Sequence, residues 1–204
     1  MASAITFDVT RVQPALILFA RFPVAGECKT RLIPAVGAQG AAAIHKTLAS
    51  RTAKLLSAST GRAIIAFTGA VRADFEAWLG AELDYEQQVE GDLTDRLSAF
   101  LDHAPVIFFG SDTPDLAPHH IEQAIAGLAS HDVVIGPAHD GGYYCIGMRR
   151  PLPQILVDMP WSTEQVLPET MRRLDALGIE PLLLETLSDC DRPEDLARWP
   201  ELAL

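Results

Sequence analysis

Short apolar runs alternate with segments of helical periodicity along the chain, and this alternation constrains the fold more than any other feature. The strand-like runs are Ala15–Ala20, Arg62–Thr68, Leu83–Val89, Val106–Gly110, Asp132–Pro137, Tyr143–Met148 and Pro181–Thr186. The helix-like segments are Gln39–Ala58, Arg72–Leu79, Thr94–Asp102, Pro118–Ser130 and Thr163–Leu177. The alternation predicts an α/β fold with three layers, in which helices cover both faces of a mostly parallel sheet.

The alternation breaks once, in the stretch "GPAHDGGYY". The segment between the strand candidates 132–137 and 143–148 has room for a turn but not for a helix. Two strands joined this closely form an antiparallel hairpin, and the Asp140-Gly141 dipeptide is a strong hairpin signal. We therefore expect a mixed sheet with one antiparallel strand.

Composition limits the class of protein. A length of 204 residues suits one domain spanning 1–204, and the apolar runs are far shorter than the ~18 residues of a membrane span. The formal charge of −11 argues against a nucleic-acid partner. Three scattered cysteines indicate reduced thiols in a cytoplasm. The N-terminal residues 1–14 lack the pattern of a signal peptide.

Cations follow the first strand, in "ARFPVAGECKTRLIP". Arg21, Lys29 and Arg31 are the cations, and Gly26 shapes the turn. The spacing is not that of the P-loop, and no GxGxxG occurs. Two interpretations stay open: a loop that brings cations to a pyrophosphate, or solvated surface charges.

Two carboxylates follow the apolar strand at 106–110, in "GSDTPDL". Mg²⁺ or Mn²⁺ typically binds one or two carboxylates together with substrate phosphates, so Asp112 and Asp115 are candidate metal ligands. The alternative is an ordinary turn, because Asp and Pro are also turn formers. Open α/β sheets bind ligands beyond the carboxyl ends of their strands, so we expect the site there.

The third such loop contains Asp140, Gly141, Gly142 and Tyr143. Paired glycines permit a tight hairpin, a close approach of backbone to a ligand, or both. Asp140 is a candidate acceptor base.

The C-terminal part carries further candidates. Trp161 suits stacking on a sugar or base, or packing in the core. Ser162 with Gln165 fits a capping box, and Asp191 before Pro193 fits an N-cap. Asp189 is free of a capping duty and is a candidate metal ligand.

Six motifs in order resemble one family of small bacterial proteins in the GT-A, or nucleotide-diphospho-sugar transferase, superfamily. They are "ARFPVAGECKTRL", "GDLTDRL", "GSDTPDL", "GPAHDGGYYCIG", "WSTEQV" and "DCDRPEDL", and they extend from about Leu16 to Trp199. The family is described as a domain of unknown function, or as candidate glycosyltransferases found with radical-SAM genes and in arsenosugar pathways. The opening is also similar to that of phospholactate guanylyltransferases, which share the fold.

The resemblance implies the GT-A fold, a nucleotide held by the first loop and a divalent metal at Asp112, with Asp115 beside it. Lys29 and Arg31 would hold phosphates. The turn of Asp140, Gly141, Gly142 and Tyr143 would border the sugar or acceptor pocket. Five departures from the family pattern matter: the acids form D-x-x-D rather than D-x-D, Ala117 replaces a Ser or Thr cap, Arg21 stands where Lys is common, Thr94 replaces Gly, and Arg192 replaces Thr. The second predicts a weaker start for the following helix.

These observations lead to a first hypothesis of a cytoplasmic glycosyltransferase that uses a nucleotide-diphospho-sugar donor, a small-molecule acceptor and Mg²⁺ or Mn²⁺. One alternative is a nucleotidyltransferase that joins an NTP to a phosphorylated acceptor. A second is a nucleotide-binding module without catalysis. The sequence leaves the assembly open, with a homodimer among the options.

Overall fold

A seven-stranded sheet forms the centre of the structure, a computed structural model that describes residues 13–203. The strands are β1 (Ala15–Arg21), β2 (Arg62–Thr68), β3 (Asp84–Gln87), β4 (Val106–Phe109), β5 (Val133–Pro137), β6 (Tyr143–Met148) and β7 (Leu182–Leu183). Most of the N-terminal segment assessed for a signal peptide, residues 1–12, lies outside the described residues. The predicted α/β class is confirmed.

Five α-helices lie between the strands of this range. They are α1 (Ile33–Ser57), α2 (Arg72–Leu79), α3 (Leu93–Ser98), α4 (Pro118–Gly127) and α5 (Val166–Ala176). α1 begins before the predicted Gln39 because a first turn, opened by Pro34, precedes a kink at Gly37, where φ is 71°. Within 13–203 no helix is both long and apolar enough to cross a membrane.

The strand order is β3-β2-β1-β4-β6-β5-β7, and β6 runs antiparallel to both of its neighbours. The Ala138 N–H donates to the Gly142 carbonyl oxygen at 3.0 Å and closes the turn between β5 and β6. The predicted hairpin and the mixed, mostly parallel sheet are therefore confirmed. The other six strands are parallel, so their carboxyl ends share one edge of the sheet.

Both faces of the central strands are buried. In β4, Ile107 and Phe109 belong to one core cluster, while Val106 and Phe108 belong to the cluster on the opposite face. Each fully buried side chain of this kind contributes roughly 1.5–3 kcal/mol to folding. α1, α2 and α4 supply residues to the first cluster, and α3 and α5 supply residues to the second. The result is the predicted three-layer arrangement.

Helix α4 begins at the predicted Pro118 although Ala117 has no capping side chain. The Ala117 N–H donates to Nδ1 of His120 at 3.0 Å instead. This bond satisfies a backbone donor at the helix start that would otherwise lack a partner. The imidazole of His120 therefore accepts a backbone N–H at the helix start, where a Ser or Thr hydroxyl would otherwise supply an acceptor.

Candidate active site

Two adjoining hollows lie where the loops after β1, β4, β5 and β7 meet. The smaller hollow has a volume of about 350 Å³ and contains Lys29 and Asp112 in its lining. The larger hollow, about 730 Å³, contains Asp140 and Asp189. Arg31 and Asp191 line both, so the two hollows adjoin at these side chains, and together they are called the cleft. This position agrees with the expected site beyond the carboxyl ends of the strands.

Lys29 lies at the centre of a charge cluster that contains Asp112 and Asp191, hereafter the Lys29 cluster. Its Nζ is 2.6 Å from Oδ1 of Asp112 and donates to Oδ1 of Asp191 at 2.9 Å. It also donates to the Cys190 carbonyl oxygen at 2.8 Å. The Lys29 side chain is 3% exposed, whereas those of Asp112 and Asp191 are 43% and 39% exposed. The solvated-surface interpretation of Lys29 is therefore wrong.

The electrostatics of Lys29 follow from these contacts. Burial by itself would lower the pKa of the ammonium, because desolvation disfavours the charged form. The charges of Asp112 and Asp191 and their hydrogen bonds outweigh burial and raise the pKa of Lys29 above its usual value. Lys29 is thus a permanent cation at neutral pH.

Packing explains why residues so distant along the chain meet here. Leu32, Ile44, Cys190 and Trp199 share a buried cluster that joins the start of α1 to the C-terminal segment. The Cys190 N–H donates to the Asp112 carbonyl oxygen at 2.9 Å, which ties this segment to the loop after β4. Lys29 itself has a left-handed backbone, with φ of 44° and ψ of 47°. Such a conformation is uncommon outside glycine, and the neighbouring contacts stabilise it.

The other residues of the first loop occupy different positions. Arg31 is 60% exposed, and its Nη1 lies 3.9 Å from Oδ2 of Asp191. Arg21 lines the smaller hollow and pairs with Glu27 at 2.8 Å. Gly26, with φ of 88°, shapes the turn and is absent from the lining of either hollow. Of the four predicted phosphate-binding residues, three therefore face the cleft.

The hairpin turn forms one wall of the larger hollow. Asp140, Gly142 and Tyr143 line it, and Oδ1 of Asp140 accepts the Gly142 N–H at 2.9 Å. Gly141 instead contacts protein backbone. A Cβ at Gly141 would lie 2.4 Å from the carbonyl oxygen of Glu164. Its close approach is thus to the segment that precedes α5.

Trp161 is half-buried at the rim of the same hollow. Its Nε1 donates to Oγ1 of Thr94 at 2.9 Å, and its ring meets that of Tyr143 edge-on at 6.4 Å. These contacts fix the indole by packing, and part of it still lines the hollow.

Asp189 lies beside the Lys29 cluster and is half-buried. Burial raises the pKa of Asp189 to about 7, the hydrogen bond from Thr113 opposes this rise, and the nearby Asp112, Asp140 and Asp191 add to it. The Thr113 hydroxyl donates to Oδ1 of Asp189 at 2.6 Å. Asp140, Asp189 and Asp191 all line the larger hollow, so acids of separate loops converge on one region.

Asp115, predicted to stand beside Asp112 as a metal ligand, does not reach this cleft. Its Oδ1 accepts the indole N–H of Trp199 at 2.9 Å, and it lines a third hollow with His119, His120 and Glu185. The second carboxylate of the cluster is that of Asp191. The prediction that Asp191 caps a helix is wrong, because the carboxylate of Asp195 accepts the N–H groups of Asp191 and Arg192 instead.

The capping box predicted for Ser162 and Gln165 is also wrong. Ser162 has φ of 64°, whereas an N-cap needs an extended backbone. Thr163 forms a local turn there, since its hydroxyl donates to the Pro160 carbonyl oxygen and accepts the Gln165 N–H. Helix α5 consequently begins at Val166, later than predicted.

Two cleft arginines were not among the sequence candidates. Arg192 and Arg198 line the larger hollow together with Arg31. Arg198 donates to the Ser188 hydroxyl and stacks over the Trp199 ring at 4.9 Å. The composition of the tail gives no signal for them, because only the fold brings the C-terminal segment to the cleft.

His119, His120 and Glu185 form a group whose ligand atoms lie within 4.8 Å of one another. Nδ1 of His120 accepts the Ala117 N–H, so the neutral ring carries its proton on Nε2, which faces Glu185 at 3.4 Å. A metal ion at Nε2 would need the lone pair that this proton occupies. The hydrogen bonds therefore favour a structural role for His120.

The sheet order and the cleft define a nucleotide-diphospho-sugar transferase fold. A crystal structure of a candidate nucleotide-diphospho-sugar transferase from Desulfovibrio desulfuricans G20 matches with a TM-score of 0.83 and 26% identity, over 93% of this chain and 96% of that one. The chain belongs to the family described as "Uncharacterized protein conserved in bacteria (DUF2064)", whose model matches residues 50–163. The predicted family and fold are confirmed.

Two further relatives match the chain, one in sequence and the other in structure. A 2-phospho-L-lactate guanylyltransferase from Methanopyrus kandleri is 31% identical over 121 residues, which are 55% of this chain. The match spans about three fifths (62%) of that relative's length. Rv0371c from Mycobacterium tuberculosis H37Rv, in complex with manganese, matches with a TM-score of 0.54 and 16% identity, over 93% of this chain and 99% of that one.

The guanylyltransferase and the Desulfovibrio protein are transferases by description, in agreement with the transferase class predicted from the sequence. The association with radical-SAM genes and arsenosugar pathways stays a prediction.

Proposed function

We propose that the protein is a nucleotidyltransferase that joins a nucleoside monophosphate from an NTP to a phosphorylated small molecule. An oxygen of the acceptor phosphate bonds to the α-phosphorus of the NTP. The bond from that phosphorus to the bridging oxygen breaks, and pyrophosphate leaves with the oxygen. The observation that carries the proposal is the presence of cations on both sides of the Lys29 cluster.

The donor side is the smaller hollow. Arg21, Lys29 and Arg31 line it, which supplies three cations for the triphosphate. Arg grips phosphate oxygens with a planar fork, and Lys acts as a point charge. In this proposal Lys29 and Arg31 orient the β- and γ-phosphates of the donor.

The acceptor side is the larger hollow. Arg192 and Arg198 line it, and Arg31 stands between the two hollows; five acidic residues, Asp140, Glu164, Asp189, Asp191 and Asp195, line the same hollow. A phosphorylated acceptor needs such cations, whereas a neutral acceptor of a sugar does not. This second set of arginines supports nucleotidyl transfer over glycosyl transfer.

A divalent metal fits the oxygen donors of the Lys29 cluster. The carboxylates of Asp112 and Asp191 and the Cys190 carbonyl oxygen already surround a cationic ammonium. These are hard oxygen donors of the kind that Mg²⁺ and Mn²⁺ prefer. When bound, the metal would offset negative charge on the triphosphate and on the departing pyrophosphate. Asp112 and Asp191 would hold it, and the manganese complex of Rv0371c supports this choice of ion.

Asp140 needs no basic role in this reaction. A phosphate oxygen is already anionic and requires no proton acceptor. Oδ1 of Asp140 is also engaged by the Gly142 N–H. Asp140 would instead border the acceptor, and the base predicted from the sequence belongs to the second candidate function.

The second candidate is glycosyl transfer from a nucleotide-diphospho-sugar, the first hypothesis from the sequence. The match to the Desulfovibrio candidate nucleotide-diphospho-sugar transferase over 93% of the chain favours it. Asp140 would then act as the acceptor base. The two functions differ in the phosphate product that they release.

Product identity tests the proposal. The purified protein is incubated with Mn²⁺, each of the four NTPs and a panel of phosphorylated acceptors that includes 2-phospholactate and sugar 1-phosphates. We expect pyrophosphate release that depends on both NTP and acceptor. A parallel panel of UDP- and GDP-sugars is the control. Release of NDP from that panel, without pyrophosphate from the first, would favour glycosyl transfer.

A further inference from the structure

We propose that the Lys29 ammonium is the resident cation of Asp112 and Asp191 and that it competes with the divalent metal for these carboxylates. Nucleotide binding then draws Lys29 toward the phosphates and frees the carboxylates for the metal. This inference rests on the proposed function to the extent that phosphates and a metal share the cleft. It adds a measurable coupling between the affinities for the phosphates and for the metal, which can be tested without turnover.

The contacts of Lys29 leave it no spare donor. An alkyl ammonium has three N–H groups, and three oxygen atoms lie within 2.9 Å of this one. To contact a phosphate, Lys29 must give up at least one of these oxygens. Of these three oxygens, the two from the carboxylates carry the charge with which a metal could also bind.

The carboxylates are open to solvent on the side away from Lys29. Asp112 and Asp191 are 43% and 39% exposed, so a cation from solution can reach them. While Lys29 is in place, it neutralises part of their charge and occupies Oδ1 of each. The metal alone should therefore bind weakly, and binding linkage requires that phosphates and metal strengthen each other's affinity.

Two simpler explanations make different predictions. If Lys29 only ties the loops together, its removal should lower stability without strengthening metal binding. If any cation in the cleft repels the metal, removal of Arg31 should have the same effect. Arg31 is the matched control because it carries the same charge 3.9 Å from Asp191 but is 60% exposed and contacts no Oδ1.

The test measures Mn²⁺ affinity by titration calorimetry in the nucleotide-free protein and in Lys29→Met and Arg31→Met variants. We expect Lys29→Met to bind Mn²⁺ at least about tenfold more tightly than wild type, because a contacting positive charge is lost. Arg31→Met should change the affinity by about twofold, as expected for an exposed pair. Unchanged or weaker binding in Lys29→Met, or an equal gain in both variants, would overturn the proposal.

A second measurement uses the wild-type protein, in case Lys29→Met fails to fold. The ¹⁵N–¹H signal of the Lys29 ammonium reports its hydrogen bonds directly. Addition of Mg²⁺ with pyrophosphate should shift or broaden this signal as Lys29 leaves the carboxylates. A signal that stays unchanged while both ligands bind would contradict the coupling. Neither readout depends on turnover, so failure of the proposed reaction is distinguishable from failure of this inference.

Discussion

Replacing Asp112 with asparagine should reduce the rate of pyrophosphate release by at least about 100-fold. The substitution keeps the shape of the side chain but removes one of the two charges that hold Lys29 and that, in the proposed function, would hold the metal. Loss of a group that stabilises charge in the transition state typically costs 10²–10³-fold in rate. Initial rates with saturating NTP and Mn²⁺ measure the effect, and Mn²⁺ affinity should fall in parallel.

Asp115→Asn is the matched control for this variant. Asp115 is in the same loop and loses the same charge, but its carboxylate accepts the Trp199 indole N–H outside the cleft. An asparagine oxygen can accept that bond as well, so the rate should stay within about threefold of wild type. Equal losses of rate in the two variants would show that the effect does not depend on the place of Asp112 beside Lys29.

Replacing Gly141 with alanine should destabilise the fold by about 2–5 kcal/mol. At φ of +89° a side chain is strained, which costs about 1–2 kcal/mol. The new Cβ would also lie 2.4 Å from the Glu164 carbonyl oxygen and 2.5 Å from its Cα. Relief of that overlap costs roughly 1–3 kcal/mol more, because it requires a backbone shift. Urea denaturation of both proteins gives the difference in free energy of unfolding.

Gly178→Ala separates the two costs. Gly178 also has a positive φ, of 66°, but a Cβ there meets nothing within 4 Å. It should therefore cost only the conformational part, about 1–2 kcal/mol. If the two variants are equally destabilised, the contact between the hairpin turn and the segment before α5 contributes nothing to the free energy of unfolding. A shift of the turn would also strain the hydrogen bond that the Gly141 carbonyl oxygen accepts from the Leu167 N–H of α5 at 2.8 Å.

Local patterns predicted the architecture well. The limits of β2, β6 and α2 agree with the sequence prediction, because glycines stand directly outside them at Gly61, Gly69, Gly80 and Gly142. β7 was predicted over Pro181–Thr186, yet only Leu182 and Leu183 pair. As an edge strand, β7 pairs on one side alone, and the pairing ends where the register of β5 shifts between Gly136 and Pro137.

The site was harder to predict because it depends on which residues meet. The sequence identified Lys29, Asp112 and Asp140 from loops that follow strands. It could not tell that Asp191 would join Lys29, since an N-cap role and an ion-pair role look alike in "DCDRPEDL". The buried cluster around Cys190 and Trp199 packs the C-terminal segment against the start of α1, and this packing brings Asp191 to Lys29.

In the proposed function, a nucleotide's phosphates and a divalent metal bind together at the Lys29 cluster. Anomalous diffraction from crystals grown with Mn²⁺ and a non-hydrolysable NTP tests it most directly. We expect a manganese peak beside the Asp112 carboxylate, with phosphates against Lys29 and Arg31. A nucleotide and ion bound elsewhere, for example in the hollow of His119 and Glu185, would contradict it.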